Sequence, residues 1–153
     1  MPINLAPIIG SRIGGTGTPG SKSVKKPSGV ITKGNVVAKG TAGDVDKWTL
    51  ASTSSTGPFA VCIQDAATGD TSFSMVDDGE VLVKADGAIT NNAYVMRSGT
   101  TAGEVIAYTG TDETLIVGRY LRHEGEDSGD QTAAADGDVI IIRLGYQMPQ
   151  AAT

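Results

Sequence analysis

Turns come too often in this sequence for it to build anything but short strands. From residue 30 onward, breaks rich in Gly, Asp and Asn (KGN, TAGD, STGP, ATGD, DDG, ADG, RSGTTAG, TGTD, DGD) interrupt the chain at short intervals. Asp-Gly and Gly-Asn pairs supply the positive φ that tight hairpin turns need. Between the breaks lie short bursts of β-branched and aromatic residues: Val30–Lys33, Asn35–Lys39, Trp48–Ser52, Phe59–Gln64, Thr71–Val76, Glu80–Lys84, Ala93–Arg97, Val105–Thr109, Thr114–Leu121 and Asp138–Leu144. Such residues fit a pleated, half-buried surface. Residues 139–142 are apolar on both faces, as suits a central strand of a closed barrel or sandwich. No interval is long enough for a stable helix; residues 131–135 could form one turn at most. The sequence therefore predicts an all-β fold, a barrel or a sandwich, over residues 30–146, followed by a short tail at 147–153.

Residues 1–29 have a different chemistry. The run GSRIGGTGTPGSKSVKKPSG has neither the period of a strand nor that of a helix, and it offers few apolar atoms to offset the entropy of ordering its glycines. Charge separates the same way. Residues 1–47 hold seven basic against two acidic side chains, a net +5, and the remainder holds five basic against fifteen acidic, a net −10. Opposite signs at the two ends of a chain mark one end as an interaction segment. The reading is a flexible, extended arm whose apolar tip (Ile3, Leu5, Ile8, Ile9) and cations (Arg12, Lys22, Lys25, Lys26) grip a neighbour, by adding a strand to its sheet and meeting acidic patches. On that reading a chain beginning at Val30 keeps its fold.

A faint internal repeat is also visible. Residues 33–37 (KGNVV), 91–95 (NNAYV) and 136–140 (DGDVI) each set a turn before a strand, and 59–70 resembles 115–130 in passing from an apolar strand to a loop closed by Gly-Asp. A duplicated β-unit accounts for both.

Chemical motifs are sparse. Gly15 and Gly20 are spaced as in a phosphate loop, but Ser21 intrudes before Lys22 and Ser23, and no strand–loop–helix context surrounds them, so nucleotide binding is not expected. His123, Glu124, Glu126, Asp127 and Asp130 lie together, yet their spacing matches no calcium loop and reads as a solvated excursion between strands. Cys62 sits within a β-run as a buried thiol. One Cys and one His exclude both an internal disulfide and an ordinary structural zinc site built by this chain alone. Trp48, after an acidic turn, suits a core or an interface. Aromatic residues are only 5% of the chain, too few for a stacking surface, and the net charge of −5 argues against coating nucleic acid. No apolar run approaches the roughly 18 residues of a membrane span, and the start lacks the pattern of a secretory signal, so the expectation is synthesis in a cytoplasm with no membrane partner.

The stretches VITKGNVVAKG, FAVCIQDAATGDTSFSMVDDGEVLVKADGAITNNAYVMRSG, LIVGRY and DGDVIIIRLG follow one another in an order that resembles the head-decoration, or capsid cement, proteins of tailed bacteriophages. The departures fall at turns: Asn35 where Asp is usual, Phe59-Ala60-Val61-Cys62 in place of a Val-Gly pair, and Asn91-Asn92 in place of Gly-Asp. The resemblance implies a β-barrel or β-tulip-like fold and a homotrimer on the outer capsid surface. It also implies a structural virion protein that binds the major capsid protein and stabilises the mature shell, with no cofactor and no enzymatic step. The alternative is a tail or baseplate β-module that binds host surface glycans.

Overall fold

A computed structural model describes residues 12–13, 21–25, 29–40, 47–110, 112–126 and 132–144. Its strands are β1 (Arg12–Ile13), β2 (Ser21–Lys25), β3 (Val36–Lys39), β4 (Trp48–Leu50), β5 (Phe59–Cys62), β6 (Ser72–Val76), β7 (Gly79–Lys84), β8 (Tyr94–Arg97), β9 (Val105–Ala107), β10 (Ile116–His123) and β11 (Val139–Leu144). The fold is all-β, as expected, in two curled sheets whose neighbouring strands run antiparallel. One sheet has the order β1-β7-β11-β10-β8-β9 and the other β2-β6-β5-β3-β4.

Those two orders are one topology written twice. Setting β1 aside, β2-β6-β5-β3-β4 matches β7-β11-β10-β8-β9 strand for strand. The hydrogen bonds repeat at a spacing of 58 residues: Cys62 N–H donates to the Asn35 carbonyl and Tyr120 N–H to that of Ala93, each at 2.9 Å. Ile31 exchanges both main-chain bonds with Ala66, and Ile89 does so with Ala134. Backbone handedness repeats too. Gly29 and Gly87 have φ of 117° and 125°, and Gly34 at 91° is answered by Asn92 at 60°, a side chain that tolerates the left-handed region. The repeat read at 33–37 and 91–95 is therefore real. Pairing 59–70 with 115–130 needs correction: the counterpart of Gly69-Asp70 is Gly137-Asp138. The second copy carries ten extra residues between Tyr120 and Ala134, and this insertion displaced the sequence match. Residues 127–131 lie outside the described residues.

Two apolar layers follow from strand alternation. Val36, Ala38, Phe59, Val61 and Val76 point from the first copy into a core shared with Val83, Val95, Tyr120, Ile140 and Ile142 of the second. The alternate residues Val37, Ala60, Cys62, Phe73 and Met75 form a separate layer with Ile31 and Ala66, on which Trp48 packs. The first-copy sheet is thus buried on both faces, each full burial of a Val-sized side chain contributing about 1.5–3 kcal/mol. Hydrogen bonds stitch the copies together. Gly103 donates to Ala51 O (3.0 Å) and accepts from Val36 N (2.8 Å), and Gly57 N–H reaches Thr114 O (2.8 Å). Arg97, 9% exposed, donates from Nε to Ser55 O at 2.6 Å.

Two expected strands differ. Val30–Lys33 is reduced to the Ile31–Ala66 bridge, because side chains take its backbone donors: Thr32 N–H bonds Asn35 Oδ1 (2.9 Å) and Lys33 N–H bonds Asp65 Oδ1 (2.7 Å). At the start of Thr114–Leu121, Asp112 accepts from Thr114 N–H at 2.9 Å and turns Glu113–Leu115 into a single 3₁₀ turn.

At Gly118 the backbones of β10 and β11 leave no room for a side chain: a Cβ there would run into the Arg143 carbonyl oxygen. Gly118→Ala should therefore force β10 and β11 apart and cost about 1–3 kcal/mol or more in urea unfolding. Gly99→Ala, with open space around the new methyl, should change stability by under about 0.5 kcal/mol.

Candidate interaction surface

The segment read as an arm contributes strands to the molecule itself. Reading all of residues 1–29 as lying outside the sheets is corrected at two places: β1 pairs Arg12 with Val81 and Ile13 with Glu80, and β2 runs from Ser21 opposite Val76 to Lys25 opposite Ser72. Both are edge strands, one on each sheet. An edge strand is held by main-chain hydrogen bonds on one side, which place little demand on side-chain periodicity, so a polar run such as SKSVK gives no sequence signal. β6 and β7 follow each other across Asp77-Asp78 but belong to different sheets, and β1 and β2 seal the edges of both. Of the expected contact residues, Arg12 is thus on β1, and Lys22 and Lys25 are on β2. Ile3, Leu5, Ile8, Ile9 and Lys26 lie outside the described residues.

Sequence reasoning missed a basic row on the outer face of the six-stranded sheet. Register sets Tyr94, Arg119, Arg143 and Glu80 side by side across β8, β10, β11 and β7. Arg119 lies over the Tyr94 ring (5.9 Å to the centroid) and donates from Nε to Asn92 O at 3.0 Å. Glu80 receives Arg143 at 3.5 Å and Arg122 at 3.6 Å. Among the described residues three guanidiniums thus gather on this face beside the Glu80 carboxylate. Arg119 and Arg122 lie on β10 and Arg143 on β11, so the row becomes visible only once the strand register is known.

His123 stands in a polar network at the root of the insertion. Its Nε2 is 2.8 Å from Asp138 Oδ2, while Nδ1 lies 3.1 Å from the Tyr120 hydroxyl and 3.0 Å from Thr132 Oγ1. Tyr120, fully buried, donates to the Thr132 carbonyl at 2.6 Å, and burial pushes its phenol up to about 12. Thr132 also donates to Glu126 Oε1 at 2.7 Å. With both ring nitrogens engaged, this is a brace for the loop; Asp127 and Asp130 lie outside the described residues. Among the described residues no group of three or more His, Cys, Asp or Glu side chains is arranged to hold a metal ion. Cys62 is buried with its thiol donating to Gln64 O, and burial raises its pKa, which favours the thiol over the thiolate. A hydroxyl-lined depression of about 180 Å³ at Lys39, Thr49, Ser52, Ser54, Ser55 and Thr56 has no aromatic wall on which a sugar could stack. No helix among the described residues is long and apolar enough to cross a membrane.

These features define an all-β module: a duplicated five-strand unit with edge strands on both sheets and a basic outer row. It is similar in fold to the crystal structure of the head fiber gp8.5 N base of bacteriophage phi29, with a TM-score of 0.54 and 16% identity over 82% of this chain and 92% of that one. No family model matches the sequence, and no curated protein matches it either.

Two outcomes follow. A chain beginning at Val30 lacks β1 and β2 and leaves the β6 and β7 edges open, so it should unfold at lower temperature than the full chain and self-associate more, as read by calorimetry and light scattering. Acid should also destabilise the fold. Hydroxyls of Ser98 and Thr100 lower the pKa of Asp86, those of Thr114 and Thr132 lower Asp112 and Glu126, and the Ala135 N–H with His123 lowers Asp138. A carboxyl with a depressed folded-state pKa stabilises above its ordinary value (3.8 for Asp, 4.5 for Glu) and loses that contribution as pH falls through the folded value. The melting temperature should fall below about pH 4.5, with a smaller drop in Asp86→Asn.

Proposed function

We propose that this chain is a structural component of a phage virion, seated on the outer surface of the capsid and stabilising the mature shell. The observation that carries the reading is the fold likeness to a phage head-fiber base, which spans most of both chains. The sequence resemblance to capsid cement proteins points the same way. The partners in this reading are the major capsid protein and neighbouring copies in a homotrimer. The protein is made in the host cytoplasm, carries no cofactor and catalyses nothing.

A cement protein acts by linkage. It binds the mature lattice and not the loosened one, so each occupied site stabilises the lattice by about 2.7 kcal/mol when the free protein is at a hundred times its Kd. The outer edges of β2 and β4 suit such a role, since they are the two end strands of the five-stranded sheet and can take a strand from a neighbour through main-chain hydrogen bonds. The arginine row supplies a positive face for acidic capsid loops, with a grip that weakens as salt rises.

The test is co-sedimentation of the purified full chain with empty expanded and unexpanded capsids of its own phage. Saturable binding to expanded shells alone, with a raised shell-disruption temperature, is the expected result. Absence of capsid binding together with retention on immobilised host glycans would overturn the reading in favour of a tail or baseplate module.

A further inference from the structure

The duplication allows one copy to be read against the other, residue for residue. β2 stands where β7 stands. Ser21, Ser23 and Lys25 lie opposite Val76, Ser74 and Ser72, as Glu80, Leu82 and Lys84 lie opposite Arg143, Ile141 and Val139. The outer face of the second copy therefore carries a Leu82–Ile141 pair where the first has Ser23–Ser74. Both apolar residues are buried, at 0% and 3% exposed, and Met96 on β8 of the same face is 8% exposed.

These three side chains call for a cover that the two apolar layers do not give. Among the described residues, Leu82, Ile141 and Met96 belong to neither layer. Lys84 and Arg143 flank them on the same face, but their side chains are 48% and 56% exposed and keep their charges in water. A second difference between the sheets falls at the same spot. β1 adds a sixth strand beside β7, with Arg12 opposite Val81, so the chain before Arg12 arrives next to Leu82. Among the described residues β2 carries no such strand on its outer edge.

We propose that the segment preceding β1 is that cover, with Ile3, Leu5, Ile8 and Ile9 packed on Leu82, Ile141 and Met96 across the outer face of the six-stranded sheet. Those four positions lie outside the described residues, and eleven residues precede Arg12. Eleven extended residues reach about 35 Å. From β7 to β8 is three strand spacings, about 14 Å, so the segment is long enough to cross. Pro2 and Pro7 favour an extended backbone and remove two ladder donors, which suits a strap laid over a face better than a further edge strand. An apolar segment and an apolar patch leave water together when they meet. The apolar tip then belongs to the chain's own sheet and not to a neighbour's, and the inference stands independently of the virion reading.

The test is methyl nuclear Overhauser spectroscopy on the full chain, labelled at Ile, Leu and Met methyls in a deuterated background. Cross-peaks from Ile3, Leu5, Ile8 or Ile9 to Leu82, Ile141 or Met96 are the expected result. Their absence would overturn the proposal. So would cross-peaks seen only between differently labelled chains in a mixed sample, which would assign the cover to a second copy. A chain lacking residues 2–9 keeps β1 and β2 and gives an independent reading. Its Leu82, Ile141 and Met96 methyls should shift while Ile89 and Ile140 of the shared core stay in place, and anilinonaphthalene sulfonate emission should rise at least about twofold. Unmoved Leu82, Ile141 and Met96 methyls in that chain would count against the strap just as directly.

Discussion

A sheet with an apolar face cannot persist in water with that face open, and each half of this molecule solves the problem with the other. The Val36, Ala38, Val61 and Val76 face of the first copy is dry because Val95, Tyr120, Ile140 and Ile142 of the second lie against it. Gly103, Arg97 and Gly57 then lock the two together with hydrogen bonds that neither copy could make alone. Neither unit therefore suffices as a domain, although each contains a complete topology. The strands at 12–13 and 21–25 depend on this stack in turn, because the edges they seal exist only where β6 and β7 have been delivered to different sheets.

Much of this was legible in the sequence. Nine of the ten expected strand segments overlap observed strands, because Gly and Asp turns and β-branched runs act locally and carry their meaning with them. What escaped reading depends on partners distant in sequence. Ser21–Lys25 is a strand because β6 has an unpaired edge, a fact absent from SKSVK itself. The Thr32 and Lys33 donors leave the ladder because Asn35 and Asp65 capture them. The repeat was visible at 33–37 and 91–95, where both copies need the same backbone turn, but the insertion after Tyr120 hid the equivalence of Asp70 with Asp138. The basic row was illegible for the same reason: its members come together through register, not through spacing.

The insertion shows how a duplicated unit diverges. The main chain around Ile31–Ala66 and Ile89–Ala134 is the same bonded bridge in both copies. Change has gathered in the loop beyond it, where the second copy has ten more residues and a His-centred brace and the first has a surface depression. Bridges that define a turn tolerate little alteration, whereas a loop that leaves the sheet can lengthen at small entropic cost.

The way the copies stack has a further consequence. The face of the second copy that carries Ile89, Ala134 and Tyr120 looks into the shared core, while the matching face of the first, with Ile31, Ala66 and Cys62, forms the separate layer on the far side. The two units are therefore related by something close to a translation and not by a dyad. A dyad would give the molecule two identical ends; a translation gives it a head and a tail. One end shows the arginine row and the other the closed layer beneath Ile31, so the domain is a directed object. An object with two unlike ends offers a flat support two different faces, so the choice of face alone decides which end points away from it.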